Sequence, residues 1–372
     1  MRIAFDAKRA FLNKTGLGNY SRNVLAAFCA SNSDSQYFLC TPEVTDLLKL
    51  DSEQIETLTP NSTLSKMFPS LWRSKTVLSQ LQELSVDLYH GMSNELPFGI
   101  SKTGIRSVVT IHDLIFLRYP SYYPKLDSLI YSYKVKRACS EADRIIAVSE
   151  HTKNDIVELL GVSPCKIDVV YQTCHEQFKS AVSEEGKNRA REKYGLPESF
   201  ILYVGTIEKR KNLLSLIDAL KNVPDTPIVV VGKATDYLTV VQSRITQLGL
   251  EKRVVFIHNA GFADLPAIYQ LAEMLVYPSQ YEGFGIPILE ALYSGIPVIT
   301  TQGGCFEEAG GPNSLYVPFG DWQKLSETIQ SLLADQGLRQ KMISGGIKHA
   351  FKFNNDAVAA GLTSTYRKAL ES

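Results

Sequence analysis

Short apolar runs alternate with helical patterns along the chain, and this alternation limits the fold more than any other feature. Helical patterns separate the runs, notably Gly18–Ala30, Leu126–Ser140 and Ser149–Leu160. Such a rhythm is typical of βαβ units, in which the strands are parallel. The strands predicted in the first half are Arg2–Phe5, Tyr37–Cys40, Leu88–Tyr89, Ser107–Ile111, Arg144–Val148 and Lys166–Val170.

The rhythm fades in a polar, charged stretch, Gln172–Arg191, which we interpret as a linker, and then restarts. A chain of 372 residues suits two domains of about 150–200 residues each. We therefore predict an α/β protein with two Rossmann-like, doubly wound domains, residues 1–175 and 176–354, that face a central cleft. A C-terminal helix, residues 355–372, packs on one of them, and a return to the first domain is one option. The strands predicted in the second half are Phe200–Val204, Pro227–Val231, Arg253–Ile257, Leu275–Tyr277, Pro297–Thr300 and Leu315–Val317.

Glu282 and Glu290 frame a strand-to-helix connection in the second half. The run Met274–Pro278 predicts a buried strand, and Pro287–Ser294 predicts a helix, with a proline suited to its first turn and Gly295 suited to its end. Ligands of open α/β sheets bind at the carboxyl ends of the strands. Two carboxylates there suit a ligand with an anionic group and several hydroxyls, such as a nucleotide-sugar. The backbone N–H groups beside them belong to Gly283, Phe284, Gly285 and Ile286.

Arg210 and Lys211 follow the predicted strand Phe200–Val204 and precede a helical pattern, so we expect them at the same kind of edge. A guanidinium offers a planar fork and an ammonium a mobile point charge, and the two together suit a diphosphate. They can also stabilise the charge that develops on a departing nucleoside diphosphate. A solvated basic turn is the alternative for this pair taken alone.

Two features of the first half predict further contacts at its ligand edge. The segment Thr15-Gly-Leu-Gly-Asn-Tyr20 opens a helix after the first strand, where backbone N–H groups could approach a phosphate or a sugar. His112 ends the strand Ser107–Ile111, and Asp113 follows it. A glycine loop alone is a weak signal. A lone histidine is usually structural, but the position of His112 at a strand end beside Asp113 gives a functional role equal weight.

Composition excludes several function classes. The formal net charge is zero, so no overall field attracts nucleic acid or an anionic membrane. The six cysteines lack Cys-x-x-Cys spacing, which argues against a zinc site and for reduced thiols. We see no signal-peptide pattern at the N-terminus and no run of 18 apolar residues, and we expect a cytoplasmic protein.

Taken together, these motifs resemble the GT-B glycosyltransferases, specifically the retaining glycosyltransferases of family 4. The strongest part runs from Asp264-Leu-Pro-Ala-Ile-Tyr269 through Tyr277–Pro287 to Gly295-Ile-Pro-Val-Ile299. Gly205-Thr-Ile-Glu-Lys-Arg-Lys-Asn212 matches the family's basic loop, and Thr15–Tyr20 and His112-Asp-Leu114 match its first-domain motifs. These separated motifs occur in the expected order, over nearly the whole chain.

The resemblance implies that the first domain, residues 1–175, binds the acceptor and that the second, residues 176–354, binds the nucleotide-sugar donor. It also implies a role for each of these residues. Arg210 and Lys211 would hold the donor pyrophosphate, Glu290 the ribose hydroxyls, and Glu282 the donor hexose. His112 would touch the hexose near the reacting carbon and orient it or stabilise positive charge. The implied catalytic residues are thus His112, Glu282, Arg210 and Lys211, and the implied donor-binding residues are Gly16, Gly205, Arg210, Lys211, Glu282, Gly283, Phe284, Gly285 and Glu290.

The resemblance also implies retention of anomeric configuration without a metal ion or other cofactor, and the nucleotide-sugar serves as co-substrate. No residue stands out as a covalent nucleophile, so front-face displacement is the expected mechanism. The motifs look most like those of mannosyltransferases that use GDP-mannose, and a UDP-hexose is the alternative donor. Two segments depart from the family pattern: Gln172-Thr-Cys-His175 and Cys305-Phe-Glu-Glu308.

Two other functions stay open at this point: an NAD-dependent Rossmann enzyme and a non-catalytic sugar-binding module of the same fold. The acceptor, a glycan or a lipid-linked glycan, has no readable code. The segment Leu64–Leu81 carries Met67, Phe68, Leu71 and Trp72 among Lys66, Arg73 and Lys75. It is either a helix packed on its own domain or an amphipathic patch that makes peripheral contact with the inner face of a membrane.

Overall fold

A computed structural model of the protein describes residues 1–31, 35–50, 52–223 and 225–372, apart from the side chain of Leu64. The chain divides into two compact units. Unit 1 contains Met1–Thr173 and Phe353–Ser372, and unit 2 contains Cys174–Lys352. Each unit has a parallel sheet and a hydrophobic core of its own. The predicted α/β class with two Rossmann-like domains is confirmed.

Unit 1 is built on a seven-stranded parallel sheet with the order β3-β2-β1-β4-β5-β6-β7. The chain first adds strands on one side of β1 and then crosses to the other side at β4, so the switch point lies between β1 and β4. Strand residues such as Ile3, Ala4 and Phe5 are fully buried, as expected of a parallel sheet covered on both faces. The strands are β1 Arg2–Asp6, β2 Gln36–Cys40, β3 Ile55–Leu58, β4 Leu88–Gly91, β5 Arg106–Ile111, β6 Arg144–Ala147 and β7 Ile167–Val169.

Helices connect these strands and cover the sheet. The segment predicted as helix or patch at residues 64–81 forms several short pieces, including a π-helical turn at Trp72–Thr76. The helices of this stretch of chain are α1 Lys8–Leu12, α2 Gly16–Ser31, α3 Thr63–Met67, α4 Pro69–Leu71, α5 Val77–Glu83, α6 Ile115–Arg118, α7 Lys125–Glu141 and α8 Glu150–Leu160.

Unit 2 repeats the plan with a six-stranded parallel sheet of order β10-β9-β8-β11-β12-β13. Its switch point lies between β8 and β11. The strands are β8 Ile201–Val204, β9 Ile228–Val231, β10 Val254–Ile257, β11 Met274–Tyr277, β12 Val298–Thr301 and β13 Leu315–Val317. The helices are α9 Glu184–Tyr194, α10 Leu213–Ala219, α11 Leu238–Leu248, α12 Leu265–Leu271, α13 Ile286–Tyr293, α14 Cys305–Gly310, α15 Trp322–Ala334 and α16 Gln336–Ala350.

The C-terminal helix, α17 Asn355–Glu371, belongs to unit 1, where it packs on α2. Its Tyr366 is fully buried, and the hydroxyl lies 2.7 Å from Nδ1 of His90 on β4. The rings of Phe28 and Tyr366 meet edge to face with centroids 5.1 Å apart. The last helix of the chain thus completes the core of the first domain.

Two local predictions differ from the structure. The boundary between the units, Thr173 to Cys174, falls within the stretch interpreted as a linker, but most of that stretch's second half belongs to α9. This polar helix buries only Ala190, is capped by Ser183 and ends at the left-handed Gly195. Strand β3 was missed because it lies at the sheet edge and exposes Glu56 and Thr57, so no apolar run marks it.

Candidate functional site

Glu282 meets both Arg210 and Lys211 at the switch point of the unit 2 sheet. The two cations lie on a short turn after β8, and Glu282 lies on the loop after the neighbouring strand β11. Oε1 of Glu282 is 2.5 Å from Nζ of Lys211 and 2.9 Å from Nη1 of Arg210. Three charged groups from two loops that are far apart in the sequence therefore form one cluster where α/β sheets bind ligands.

Backbone contacts hold the two loops of this cluster together. The N–H of Gln280 donates to the carbonyl of Arg210 across 2.9 Å, and Nη1 of Arg210 donates to the carbonyl of Tyr281 across 2.6 Å. Nη2 of Arg210 also donates to Oε1 of Glu208 at 2.6 Å. The guanidinium position is thus set by main-chain and side-chain acceptors together, which favours a fixed geometry.

Two tyrosines belong to the site and were missed by sequence reasoning. Tyr277 accepts a hydrogen bond from Nζ of Lys211 at 2.7 Å and donates one to Oε1 of Glu282 at 3.0 Å. Tyr269, on α12, donates to Oε2 of Glu290 at 2.7 Å. Both side chains are buried, and their sequence positions match core residues of a strand and a helix, so no polar pattern marks them.

The cluster of Glu282, Arg210 and Lys211 is an ion pair network with little exposure: the three side chains are 12–14% exposed. Burial opposes ionisation of Glu282, but Lys211 and Arg210 outweigh it and lower the pKa of the carboxyl to about 2. Burial also lowers the pKa of Lys211, against the attraction of Glu282. The carboxylate is therefore ionised throughout the physiological range and holds two cations in place.

Glu290 lies in a different network from Glu282. It is the fifth residue of α13, is 8% exposed, and its hydrogen bond comes from Tyr269. Burial raises its pKa to about 7, against the hydrogen bond from Tyr269, which lowers it. Glu290 thus changes charge near neutral pH, whereas Glu282 does not.

The connection from β11 to α13 contains Gly283, Phe284 and Gly285, as predicted. Gly285 is the residue before α13 and has a φ of +97°, a conformation that favours glycine. Phe284 is buried. Gly205, directly after β8, also has a positive φ, of +153°. An added Cβ there would lie 3.6 Å from Cδ of Lys211, so the backbone of Gly205 runs beside the lysine stem.

The segment that begins at Cys305 departs from the family pattern, and its side chains make local contacts that account for the residues found there. The thiol of Cys305 donates to the carbonyl of Glu282 across 3.1 Å, and so links α14 to the charged cluster. Oε1 of Glu307 accepts from the N–H of Gly303 across 2.9 Å. The backbone amide of Gly303, in the turn between β12 and α14, is thus bound to a side chain.

In unit 1, His112 is buried and both its ring nitrogens have partners. Nε2 is 2.9 Å from the carbonyl of Met92, and Nδ1 is 3.3 Å from Nε2 of Gln172. The ring of Tyr20 packs edge to face on the imidazole, with centroids 4.5 Å apart. Burial lowers the pKa of His112 to about 4, so the ring is neutral at neutral pH. Gln172 was noted in the sequence only as a departure from the family pattern.

Gly16 is the first residue of α2 and is exposed, with open space around a built Cβ. Gly18 differs, because an added Cβ would lie 1.8 Å from the carbonyl oxygen of Asn13. Backbone packing therefore requires the second glycine of the motif, whereas Gly16 has open space around it.

Across the described ranges, none of the helices combines the length and apolar character that a membrane crossing needs. In the same part of the chain, His, Cys, Asp and Glu side chains do not gather in any group of three that could hold a metal ion.

Comparison with known proteins identifies two domain families in the chain. Residues 15–174 match the family "Glycosyltransferase Family 4", and residues 186–349 match "Glycosyl transferases group 1". The two matches follow the order of the two units.

Similar proteins include two O-antigen chain mannosyltransferases. Mannosyltransferase B of Escherichia coli is 29% identical over 290 residues, which cover 75% of this chain and 74% of the relative. RfbU of Salmonella typhimurium is 31% identical over 230 residues, 60% of this chain and 61% of the relative.

Among solved structures, Anabaena HepE in complex with UDP and glucose superposes with a TM-score of 0.77 at 20% identity and covers 99% of both chains. A sucrose-phosphate synthase from Thermosynechococcus elongatus also gives 0.77 at 20% identity, with 99% of this chain and 98% of the other covered. These likenesses show a shared fold.

Proposed function

The chain belongs to the GT-B glycosyltransferases of family 4, and we propose that it moves mannose from GDP-mannose to a hydroxyl of a glycan or lipid-linked acceptor. Support for mannose comes from the two O-antigen chain mannosyltransferases, at 29% and 31% identity. We assign the donor site from the cluster of Arg210, Lys211 and Glu282 at the switch point of unit 2.

This cluster suits a nucleoside diphosphate for electrostatic reasons. A lysine ammonium has three donor hydrogens, and Lys211 directs two of them to Tyr277 and Glu282. Among the described residues, this leaves one donor for a phosphate oxygen. The ionised Glu282 holds both cations before the donor binds, so less ordering of long side chains is needed at binding.

The remaining assignments follow from the same proposal. Glu290 binds the ribose hydroxyls, and Glu282 with the amides of Phe284 and Gly285 holds the hexose. His112 contacts the hexose near the reacting carbon, and Gly16 borders the diphosphate. Because the pKa of His112 is lowered to about 4 by burial, its proposed role is to orient the sugar as a neutral ring.

The proposed chemistry retains the anomeric configuration. The bond between the anomeric carbon and the diphosphate oxygen breaks, and a bond forms on the same face between that carbon and the acceptor oxygen. The acceptor's proton passes to the leaving phosphate oxygen. Arg210 and Lys211 stabilise the charge that develops on the diphosphate, a task that metal ions perform in other phosphate-transfer sites, so the reaction is proposed to need no metal.

Thermal unfolding in the presence of GDP, UDP, ADP and NAD tests the donor proposal. A ligand at 100 times its Kd adds about 2.7 kcal/mol to the free energy of unfolding, which gives a clear shift. We expect GDP to raise the melting temperature and Glu290→Gln to reduce that shift. Stabilisation by UDP alone would replace the donor with a UDP-hexose, and stabilisation by NAD alone would contradict a glycosyltransferase site.

Turnover separates an enzyme from a non-catalytic module of the same fold. Purified protein is incubated with radiolabelled GDP-mannose and a membrane extract that supplies acceptors, and transfer to the extract is counted. We expect transfer by the unaltered protein and none by the variant Arg210→Ala with Lys211→Ala. Binding of GDP-mannose without transfer or hydrolysis would favour the non-catalytic module.

A further inference from the structure

A chain of three hydrogen bonds connects Tyr20 on α2 with Tyr366 on the C-terminal helix α17. The Tyr20 hydroxyl lies 3.2 Å from Oγ1 of Thr110 on β5. The same oxygen lies 2.8 Å from Nε2 of His90 on β4, and Nδ1 of His90 lies 2.7 Å from the Tyr366 hydroxyl. Two helices and two strands of unit 1 thus contribute one polar group each to this chain, which none of the donor-site assignments uses.

The chain of hydrogen bonds lies in an apolar layer of unit 1. Its side chains are fully buried except that of Tyr20, which is 5% exposed. The rings of Phe5 and His90 have centroids 5.9 Å apart, and Phe28 packs on Tyr366 at 5.1 Å. Replacement of hydrogen-bonded partners by apolar groups of the same shape is close to neutral for stability. Packing alone therefore does not require these four polar groups, whereas a satisfied polar network selects one arrangement of its side chains.

The hydrogens of these four groups give the chain a direction. Burial lowers the pKa of His90 to about 3, so its ring is neutral and the four groups carry one hydrogen each for three bonds. One hydrogen therefore has no acceptor within the chain, and an unpaired donor costs most where burial is complete. Tyr366 is fully buried and Tyr20 is not. The favoured chain starts at the Tyr366 hydroxyl and ends at the Tyr20 oxygen, with the hydrogen of His90 on Nε2.

The ring of Tyr20, at the end of this chain of hydrogen bonds, packs on His112. The two rings are nearly perpendicular, at 88°, with centroids 4.5 Å apart. Hydrogen bonds hold the imidazole at two atoms, Nε2 at the carbonyl of Met92 and Nδ1 at Gln172. A ring held at two atoms can still tilt about the line that joins them, and the Tyr20 ring restricts this tilt. Tyr20 is thus the third support of the imidazole.

The C-terminal helix is also connected to a second support of the imidazole. Thr173 directly follows Gln172 in the sequence. Its hydroxyl donates to Oδ1 of Asn355, the first residue of α17, across 3.2 Å. The start of α17 therefore lies beside Gln172, and Tyr366, about three turns further along the helix, is connected to Tyr20. Both connections join the imidazole to the last helix of the protein.

We propose that Tyr20 and Tyr366 are positioning residues for His112: the C-terminal helix sets the direction of the hydrogen bonds and thereby holds the Tyr20 ring against the imidazole. The consequence for catalysis rests on the proposed function, in which His112 contacts the hexose. The effect on the imidazole itself depends on unit 1 alone.

NMR of the full-length protein with isotope-labelled histidine tests the proposal without any substrate. His90→Gln and His112→Gln assign the two sets of ring resonances. We expect the hydrogen of His90 on Nε2 in the unaltered protein. Tyr366→Phe keeps the aromatic ring and removes the hydroxyl, and it should shift the His112 resonances in the same direction as Tyr20→Phe does, because both release the ring at position 20. A hydrogen on Nδ1 of His90, or unchanged His112 resonances in Tyr366→Phe, would overturn the proposal.

Steady-state transfer kinetics measure the consequence for catalysis. Tyr366→Phe and Tyr20→Phe should each lower kcat by about tenfold, because a small displacement of a catalytic group is costly in rate, and should leave the KM for GDP-mannose within about twofold. The double variant should lose no more than the more affected single variant, since both hydroxyls act through the same hydrogen bonds. Additive losses, or a raised KM with unchanged kcat, would contradict a positioning role.

Tyr89→Phe is the matched control. Tyr89 is 1% exposed and precedes His90 on β4, and successive side chains of a strand point to opposite faces of the sheet. The control therefore removes a buried tyrosine hydroxyl outside the chain of hydrogen bonds, and it should change neither the His112 resonances nor kcat. A loss of kcat as large as that of Tyr366→Phe would indicate a general packing defect and overturn the proposal. If the unaltered protein transfers no mannose, the donor proposal fails, and the NMR result still decides whether Tyr366 positions His112.

Discussion

Gln172 holds His112 in one tautomer. The carbonyl of Met92 can only accept, so Nε2 of His112, 2.9 Å away, carries the hydrogen. Nδ1 is then the acceptor of the hydrogen bond from the Gln172 amide, at 3.3 Å. A glutamine at this position therefore favours a neutral imidazole, in agreement with the pKa of about 4 that burial gives to the ring.

Gln172→Glu should raise the pKa of His112 toward neutral pH. A carboxylate can only accept, so Nδ1 would have to carry a hydrogen while Nε2 still donates to Met92. We expect the pKa of His112 to rise by more than one unit from about 4, measured by NMR with labelled histidine. Gln172→Leu is the matched variant that removes the bond without adding charge, and it should leave the ring neutral. An unchanged titration in Gln172→Glu would contradict the assigned tautomer.

Arg210→Ala with Lys211→Ala should lower kcat by at least about a hundredfold, the scale of lost transition-state charge stabilisation. Both substitutions also leave Glu282 partly buried without its cations, so the melting temperature of the variant must be measured beside its kinetics. Arg210→Lys is the control: it keeps the charge and loses the planar fork. A rise in KM with unchanged kcat would mean that the pair only binds the donor.

Glu290 should make the protein less stable as pH rises toward neutrality. Its pKa in the folded protein is about 7, raised by burial from an ordinary 4.5. Between these values the folded state holds a proton that the unfolded state has released, so the free energy of unfolding falls as pH rises. The full effect is on the order of 3 kcal/mol. Urea unfolding at several pH values between 4.5 and 7.5 measures it.

Glu290→Gln is the matched variant, since the amide oxygen can still accept from Tyr269. Its stability should vary less over the same pH interval, and parallel curves for the two proteins would contradict the assigned pKa. If the ionised carboxylate accepts the ribose hydroxyls, binding of GDP to the unaltered protein should strengthen as pH rises through about 7. The variant should show no such change.

Treatment with EDTA should leave transfer activity intact, because Arg210 and Lys211 provide the positive charge opposite the diphosphate. The measurement compares rates before and after chelation, and then after addition of Mg²⁺ or Mn²⁺. Complete loss on chelation with recovery on either ion would overturn the metal-free proposal.

Local patterns in the sequence determined most of the secondary structure. Residues such as Ile201 and Val230 are fully buried in parallel strands, and apolar runs of that kind are visible without a structure. Where an element has little burial, the pattern disappears. Strand β3 exposes Glu56 and Thr57, and the helix α9 buries only Ala190, so caps and edge pairing define these elements instead.

In the candidate site too, the sequence predicted some features and only the tertiary structure revealed the others. The basic pair Arg210–Lys211 and the acidic residue Glu282 could be chosen from the sequence because each follows a predicted strand, and the carboxyl ends of parallel strands carry ligands. Strands β8 and β11 are neighbours in the sheet. This pairing depends on contacts between residues far apart in the chain, which the sequence pattern does not report. Tyr269 beside Glu290 and Gln172 beside His112 are also long-range pairs. Sequence periodicity reports which face of an element is buried, but only tertiary packing determines which side chain lies opposite.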